Sequence, residues 1–153
     1  MKIIRQYTQS DFEQVSNLFK DTILNININD YSIDQCKAWV NKSDSLRLHK
    51  ARLLEQNTIV VEINSKIVGF ASLDNDNCLD LLYVHKDYQN NGIGAILCDE
   101  LEKGLNKITT FASITAKPFF EKRGFKVVYS QQVDCGGVML ENYFMEKTKD
   151  IKC

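Results

Sequence analysis

"YVHKDYQNNGIGAILCDELEK", residues 83–103, changes character twice. It opens like the end of a strand and passes through polar residues and two glycines. It then places Ile93, Ile96, Leu97 and Leu101 on one helical face, with Leu105 just beyond, while Asp99, Glu100, Glu102 and Lys103 point away. The helix therefore starts from Gln89-Asn90-Asn91-Gly92-Ile93-Gly94, where no side chain carries a charge. A helix start has backbone N–H groups without intrahelical partners and the positive end of the macrodipole. Glycines allow a bulky anion to come close where a Cβ would collide, and the preceding strand fixes the direction of the donors. The stretch predicts a strand–loop–helix unit whose backbone binds an anion the size of a diphosphate. Its plainer alternative is a tight strand-to-helix turn.

Other phosphate loops do not fit the letters. A P-loop needs Gly-Lys-Ser/Thr, and Gly94 is followed by Ala95 and Ile96. A dinucleotide fingerprint needs a third glycine and a later acidic residue, and both nucleotide folds open with this unit rather than carrying it past mid-chain.

Before the loop, "TIVVEI", "IVGFASL" and "CLDLLYV" read as three strands joined by the short turns "NSK" and "DNDN", an antiparallel meander. Further upstream, "KIIRQYT" is a first strand. Ser10–Leu24 is a helix with Phe12, Val15, Leu18, Phe19 and Ile23 at helical spacing and Ser10 as its cap. "NININDYS" is a loop, and "IDQCKAWV" and "DSLRLHKARLLEQ" are further helices. After the loop helix come a strand, "ITTFAS", and a short helix, "TAKPFFEKRGF", with Pro118 in its first turn and Gly124 ending it. A hairpin, "KVVYSQQV" and "GVMLENYFMEK", turns at Cys135-Gly136-Gly137. The order β, helices, βββ, α, β, α, ββ predicts a mixed α/β (α+β) sheet with helices on its faces.

The bulk numbers agree with one domain spanning 1–153. A chain of 153 residues buries roughly 68–70% of its unfolded surface, enough for a core without staples. A formal net charge of −1 gives no basic excess for nucleic acid or an anionic membrane surface. The five cysteines form no C-x-x-C pair, and no signal-peptide pattern opens the chain, so a reducing cytoplasm is expected. His49 and His85 stand apart without ligand spacing, so no metal is expected.

The extended pattern is more specific than its glycines. "LLYVHKDYQNNGIGAIL" resembles the acetyl-coenzyme A loop of the GNAT superfamily of N-acetyltransferases, a Q/R-x-x-G-x-G/A loop after the apolar triplet Leu82-Tyr83-Val84. "SITAKPFFEKRGF" is similar to that family's second signature, N-x-x-A-x-x-x-Y-x-x-x-G-F, and "NYFMEK" to its terminal strand. The resemblance covers the chain from about Thr58 onward. It implies a mostly antiparallel central sheet with helices on both faces and a splayed strand pair that binds acetyl-coenzyme A. Backbone groups of Leu82, Tyr83 and Val84 would pair with the pantetheine arm, and the N–H groups of Gln89, Asn90, Asn91, Gly92, Ile93, Gly94 and Ala95 would hold the pyrophosphate. Ser113, Ala116, Phe119 and Phe120 would line the far wall. Lys117, Lys122 and Arg123 would meet the 3′-phosphate or form a solvated face.

The implied reaction is acetyl transfer to a primary amine by direct attack, with the Val84 N–H as oxyanion donor. Asp80 is the first candidate base, because strand alternation sets it on a face with Leu82 and Val84 unless a bulge shifts the phase. Glu141 and Asp134 follow it. Two departures from the family pattern stand out: Ser113 replaces Asn, and Phe120 replaces the Tyr that protonates the leaving thiolate. Tyr143, Tyr129 or water could donate instead. A coenzyme A thiol near the ordinary value of about 8.5 is a fair leaving group in any case. Tyr31 and Trp39 fall on the acceptor side, as substrate contacts or as core. The acceptor is a small molecule or a protein amine, and Asp21, Asp30 and Asp34 hint at a cation. A homodimer is possible through an exposed strand edge. The alternative function is a non-catalytic acyl-coenzyme A sensor or interaction module, for which Phe120 argues. A nucleotide-phosphate binder is the third reading.

Overall fold

The computed structural model describes residues 1–42 and 50–149. Its elements are β1 (Lys2–Gln6), α1 (Phe12–Asn25), α2 (Ile33–Lys42), α3 (Lys50–Glu55), β2 (Asn57–Ile63), β3 (Lys66–Leu73) and β4 (Cys78–Val84), then α4 (Ile93–Glu102), β5 (Lys107–Ser113), α5 (Lys117–Lys122), β6 (Lys126–Cys135) and β7 (Val138–Thr148). Residues 44–49 of the helix expected over "DSLRLHKARLLEQ" lie outside the described residues. The rest of it forms α3 and a following turn.

Seven strands form one sheet in the order β1-β2-β3-β4-β5-β7-β6. Every neighbouring pair is antiparallel except β4 and β5, which run parallel. The two meander turns follow from residues that tolerate positive φ. Asn64 and Ser65 sit at φ 51° and 65°, and Asn77 at 59°. Asp74 Oδ1 also accepts from the N–H groups of Asp76 and Cys78, which closes the second turn.

The central strands are covered on both faces, so β2 and β3 read as continuous apolar runs. Ile59, Val61, Val68 and Ala71 pack with Leu97, Cys98 and Leu101 of α4 and with Phe120 and Phe125. Val60, Ile67 and Phe70 pack on the other face with Val15, Phe19 and Ile23 of α1 and Cys36 of α2. Gly69 lets α4 lie down on the sheet: a Cβ there would stand 2.7 Å from Ile93 Cγ2.

The start of α1 differs from expectation. Ser10 falls inside a 3₁₀ turn, Gln9–Asp11, and Asp11 reaches back instead, its Oδ2 accepting the Thr8 N–H at 2.8 Å. Arg5 of β1 donates to both Asp11 oxygens at 2.8 Å. Those hydrogen bonds outweigh burial and hold the Asp11 carboxyl below its ordinary value. A longer-range contact thus outcompetes the local cap.

Candidate active site

The cleft arises because β4 and β5 pair only at their beginnings, Cys78 with Thr109 and Leu79 with Thr110. Beyond those pairs the strands diverge, and a cavity of about 530 Å³ opens between them. Leu82, Val84, Ala112 and Ser113 line it within the sheet, Ile93, Gly94, Phe119 and Phe120 on the α4 side, and Thr22, Ile26, Asn27 and Trp39 on the α1–α2 side. It therefore passes through the sheet.

Pairing with β3 leaves the β4 backbone available at the splay. The His85 N–H donates to the Val68 carbonyl at 2.8 Å, and Gly69 faces Val84 in the next pair. Antiparallel ladders alternate, so Val84 and Leu82 direct their backbone groups away from β3, toward the cleft. The Val84 carbonyl is already engaged, accepting from Gln89 Nε2 at 2.6 Å and from Thr22 Oγ1 at 3.3 Å.

The loop has the geometry of a helix start open to a ligand. Gly92 caps α4 in the left-handed region at φ 78°, with nothing within 4 Å of where a Cβ would stand. The first intrahelical bond runs from the Ile96 N–H to the Gly92 carbonyl at 3.0 Å, so the amides of Ile93, Gly94 and Ala95 precede the ladder. A Cβ on Gly94 would press on the Phe119 ring at 3.2 Å. Space there is reserved for backbone, which is what a bulky anion needs. Lys2 Nζ donates to the Asn91 carbonyl at 3.0 Å and anchors the loop from β1.

Most of the expected site residues gather here. Asp80, Leu82, Tyr83, Val84, Gln89, Asn90, Gly92, Ile93, Gly94, Ala95, Ser113, Ala116, Phe119 and Phe120 all line the cavity. Asn91 and Tyr143 do not. Tyr143 pairs with Ala112 across the sheet, and its ring lies 5.0 Å below Lys117 Nζ. Tyr129 is 46% exposed and stacks on Phe144.

Asp80 needs a correction of phase. The register passes from Ser72–Leu81 to Leu73–Leu79, so Asp80 is the extra residue of a bulge. Leu79, Leu82 and Val84 pack on the α4 side while Leu81 and Tyr83 pack on the other, which removes the alternation that put Asp80 with Leu82 and Val84. Asp80 Oδ2 instead lies 3.3 Å from Arg52 Nη2 of α3.

The aromatic residues divide between roles. Tyr31 is core: its hydroxyl donates to the Glu141 carbonyl at 2.7 Å and accepts from the Ile114 N–H at 2.9 Å. Burial pushes that phenol up to about 12. Trp39 lines the cavity beside Tyr83. Burial drives the Tyr83 phenol far above its ordinary value, Asp80 adds to this, and a hydrogen bond with Trp39 opposes it. Phe120 is 2% exposed and meets Phe119 and Phe125 edge-on at 5.2 and 5.0 Å.

Two residues of the basic cluster are paired with carboxylates. Arg123 pairs with Asp99 and Glu102, and Lys117 lies 3.8 Å from Glu121. His85 is the loop residue expected, with Nδ1 accepting the Asp87 N–H at 3.1 Å. Burial first, then Lys66, holds its imidazole below the ordinary value. Thr22, Ile26, Asn27, Tyr88, Thr110, Phe111 and Thr115 also line the cavity. No motif marked them, although a buried Asn27 in a polar loop is the kind of residue a site uses.

Residues 27–147 match the Acetyltransferase (GNAT) domain family. The chain is 35% identical over 142 residues, 93% of each chain, to the uncharacterized N-acetyltransferase YafP of Escherichia coli (strain K12). The crystal structure of a GCN5-related N-acetyltransferase from Rhodopseudomonas palustris superposes with a TM-score of 0.92 at 34% identity, covering 97% of this chain and 96% of that one. The fold is also that of the PaiA N-acetyltransferase from Thermoplasma acidophilum, solved in complex with coenzyme A, with a TM-score of 0.75 at 22% identity over 97% and 99% of the two chains. Extending over nearly the whole chain and agreeing with the splayed strands and the loop before α4, these matches establish that this protein belongs to the GNAT family of N-acetyltransferases.

Proposed function

We propose that the protein transfers an acetyl group from acetyl-coenzyme A to a primary amine within the β4–β5 cleft. The observation that carries this reading is the α4 start, where Gly92 and Gly94 keep side chains away from amides that precede the helix ladder. Those amides suit a pyrophosphate. The Thermoplasma acidophilum relative, crystallised with coenzyme A, supports the same assignment by its fold.

The amine nitrogen attacks the thioester carbonyl carbon, the C–S bond breaks, and the thiolate leaves as coenzyme A. The Val84 N–H, aimed into the splay, is the donor for the oxyanion. Asp80 takes the proton released by the nitrogen, either directly or through water, and Arg52, 3.3 Å away, orients it. For the thiolate proton, the cavity offers the hydroxyls of Ser113 and Tyr88 besides water. Ser113 Oγ accepts the Ala116 N–H at 3.1 Å, which leaves its own proton free to donate.

The test pairs calorimetric titration of coenzyme A with release of its thiol in the presence of acetyl-coenzyme A and a panel of amines. Binding with amine-dependent release is the expected result. Absence of binding removes the reading. Binding without release across the panel would favour the acyl-coenzyme A sensor, for which the hydroxyl-free Phe120 is the supporting observation. Asp80→Asn should lower kcat at least tenfold and leave coenzyme A affinity unchanged.

A further inference from the structure

The α1–α2 mouth of the cavity continues into an aromatic surface that acetyl transfer as such does not require. Phe111 of β5 lines the cavity and is 47% exposed. Its ring lies 4.9 Å from that of Phe144 on β7, and Phe144 stacks at 5.1 Å and 24° on Tyr129 of β6, 46% exposed. Their strand neighbours Ala112 and Met145 are buried toward α4, so alternation puts the three rings on the opposite face. They form a row crossing three strands, outward from the cavity. Lys107 of β5 and Glu146, two residues along β7 from Phe144, neutralise one another at 3.4 Å.

Cross-strand pairing explains why rings stack on neighbouring strands. It does not explain why the row begins inside the cavity and remains open to solvent, where a sheet face is ordinarily polar. The same cavity is lined by Trp39 and Tyr83, and among the described residues Asp80 is the carboxylate in its lining. An acceptor entering from this side meets an acid group for its nitrogen and a flat, uncharged track for whatever the nitrogen carries.

Resting on the acetyl-transfer reading, we propose that the acceptor is a small primary amine bearing an aromatic ring, with the amine at Asp80 and the ring against Phe111 and Phe144. Aromatic rings pack on such a row by offset or edge contacts. Among the described residues of the lining, a polycation would find one carboxylate, already paired with Arg52, and no second counter-charge.

The test compares 2-phenylethylamine, n-propylamine and spermidine as acceptors, with thiol release as the readout. The expected result is a kcat/KM at least tenfold higher for 2-phenylethylamine than for either other amine. Phe144→Leu, which lies outside the cavity lining, should raise KM for 2-phenylethylamine severalfold and leave the n-propylamine value unchanged. Equal kcat/KM for the three amines, or an equal effect of Phe144→Leu on both monoamines, would overturn the proposal. Should no amine be turned over, the acetyl-transfer reading fails separately. Fluorescence of Trp39, the single tryptophan, then decides the track in the presence of coenzyme A. A saturable change with 2-phenylethylamine, weakened in Phe144→Leu, supports it, and no change sinks it.

Discussion

The side-chain amide of Gln89 donates to the carbonyl of Val84 at 2.6 Å, across the junction between strand and loop. This bond fixes the end of β4 relative to the start of α4, the two elements proposed to hold the thioester and the pyrophosphate. It also occupies the Val84 carbonyl, so the Val84 N–H keeps one orientation. Gln89→Ala removes the bond at a cost of about 0.5–1.5 kcal/mol. Coenzyme A affinity measured by calorimetry should fall by roughly the corresponding factor, about two- to tenfold.

Gly92→Val tests the loop backbone without a clash. Nothing lies within 4 Å of the missing Cβ, and the strain comes from φ 78° alone. A non-glycine residue in the left-handed region costs about 1–2 kcal/mol, more for a branched one. Relieving that strain moves the amides of the first turn, so coenzyme A affinity should drop more than tenfold while the melting temperature falls by only a few degrees.

Gly69 and Ile93 share one space. Gly69→Ala puts a methyl carbon 2.7 Å from Ile93 Cγ2 and pushes α4 off the sheet. Overpacking of this kind costs about 1–3 kcal/mol. Ile93→Leu removes the branch that collides, so the double variant should recover part of the loss. Denaturant unfolding of the two single variants and the double variant measures the coupling.

Glu102 sets an acid limit on stability. It is 3% exposed and accepts from Arg123 Nη2 at 2.6 Å and Lys147 Nζ at 2.7 Å. Burial would raise its carboxyl, but those two hydrogen bonds outweigh it and hold the group below the ordinary value of 4.5. Its folded value is therefore the depressed one, so its contribution is complete above about 4.5 and is lost as pH falls below that. Glu102→Gln should lower stability at neutral pH by about 3–5 kcal/mol, because Lys147 loses its carboxylate and Arg123 keeps only Asp99. Thermal melting from pH 7 to pH 3 should show a shallower acid limb in the variant.

Tyr83 and Asp80 mark the boundary of what letters can tell. Tyr83 belongs to an apolar triplet ending a strand, and that much is visible from the period and the turn that follows. Which way its neighbour Asp80 points depends on one extra residue in the β3–β4 ladder, and a bulge leaves no reliable mark in composition. Thr8, Ser10 and Asp11 make the same point: Ser10 is a good local cap, yet Arg5 fixes Asp11 into that role from the adjoining strand. Lys117, Lys122 and Arg123 read alike as basic residues, and only Asp99 and Glu102 across the gap decide that Arg123 is taken.

By itself the sequence determined the order of strands and helices, the open helix start at Gly92 and the family, because these rest on periodicity and fixed spacing within continuous segments. The tertiary structure alone decided the through-sheet cavity, the bulge that sets Asp80 beside Arg52 and the row Phe111–Phe144–Tyr129. Each joins residues far apart in the chain, through strand divergence, a bulge and cross-strand registry, and such relations exist only once the sheet has formed.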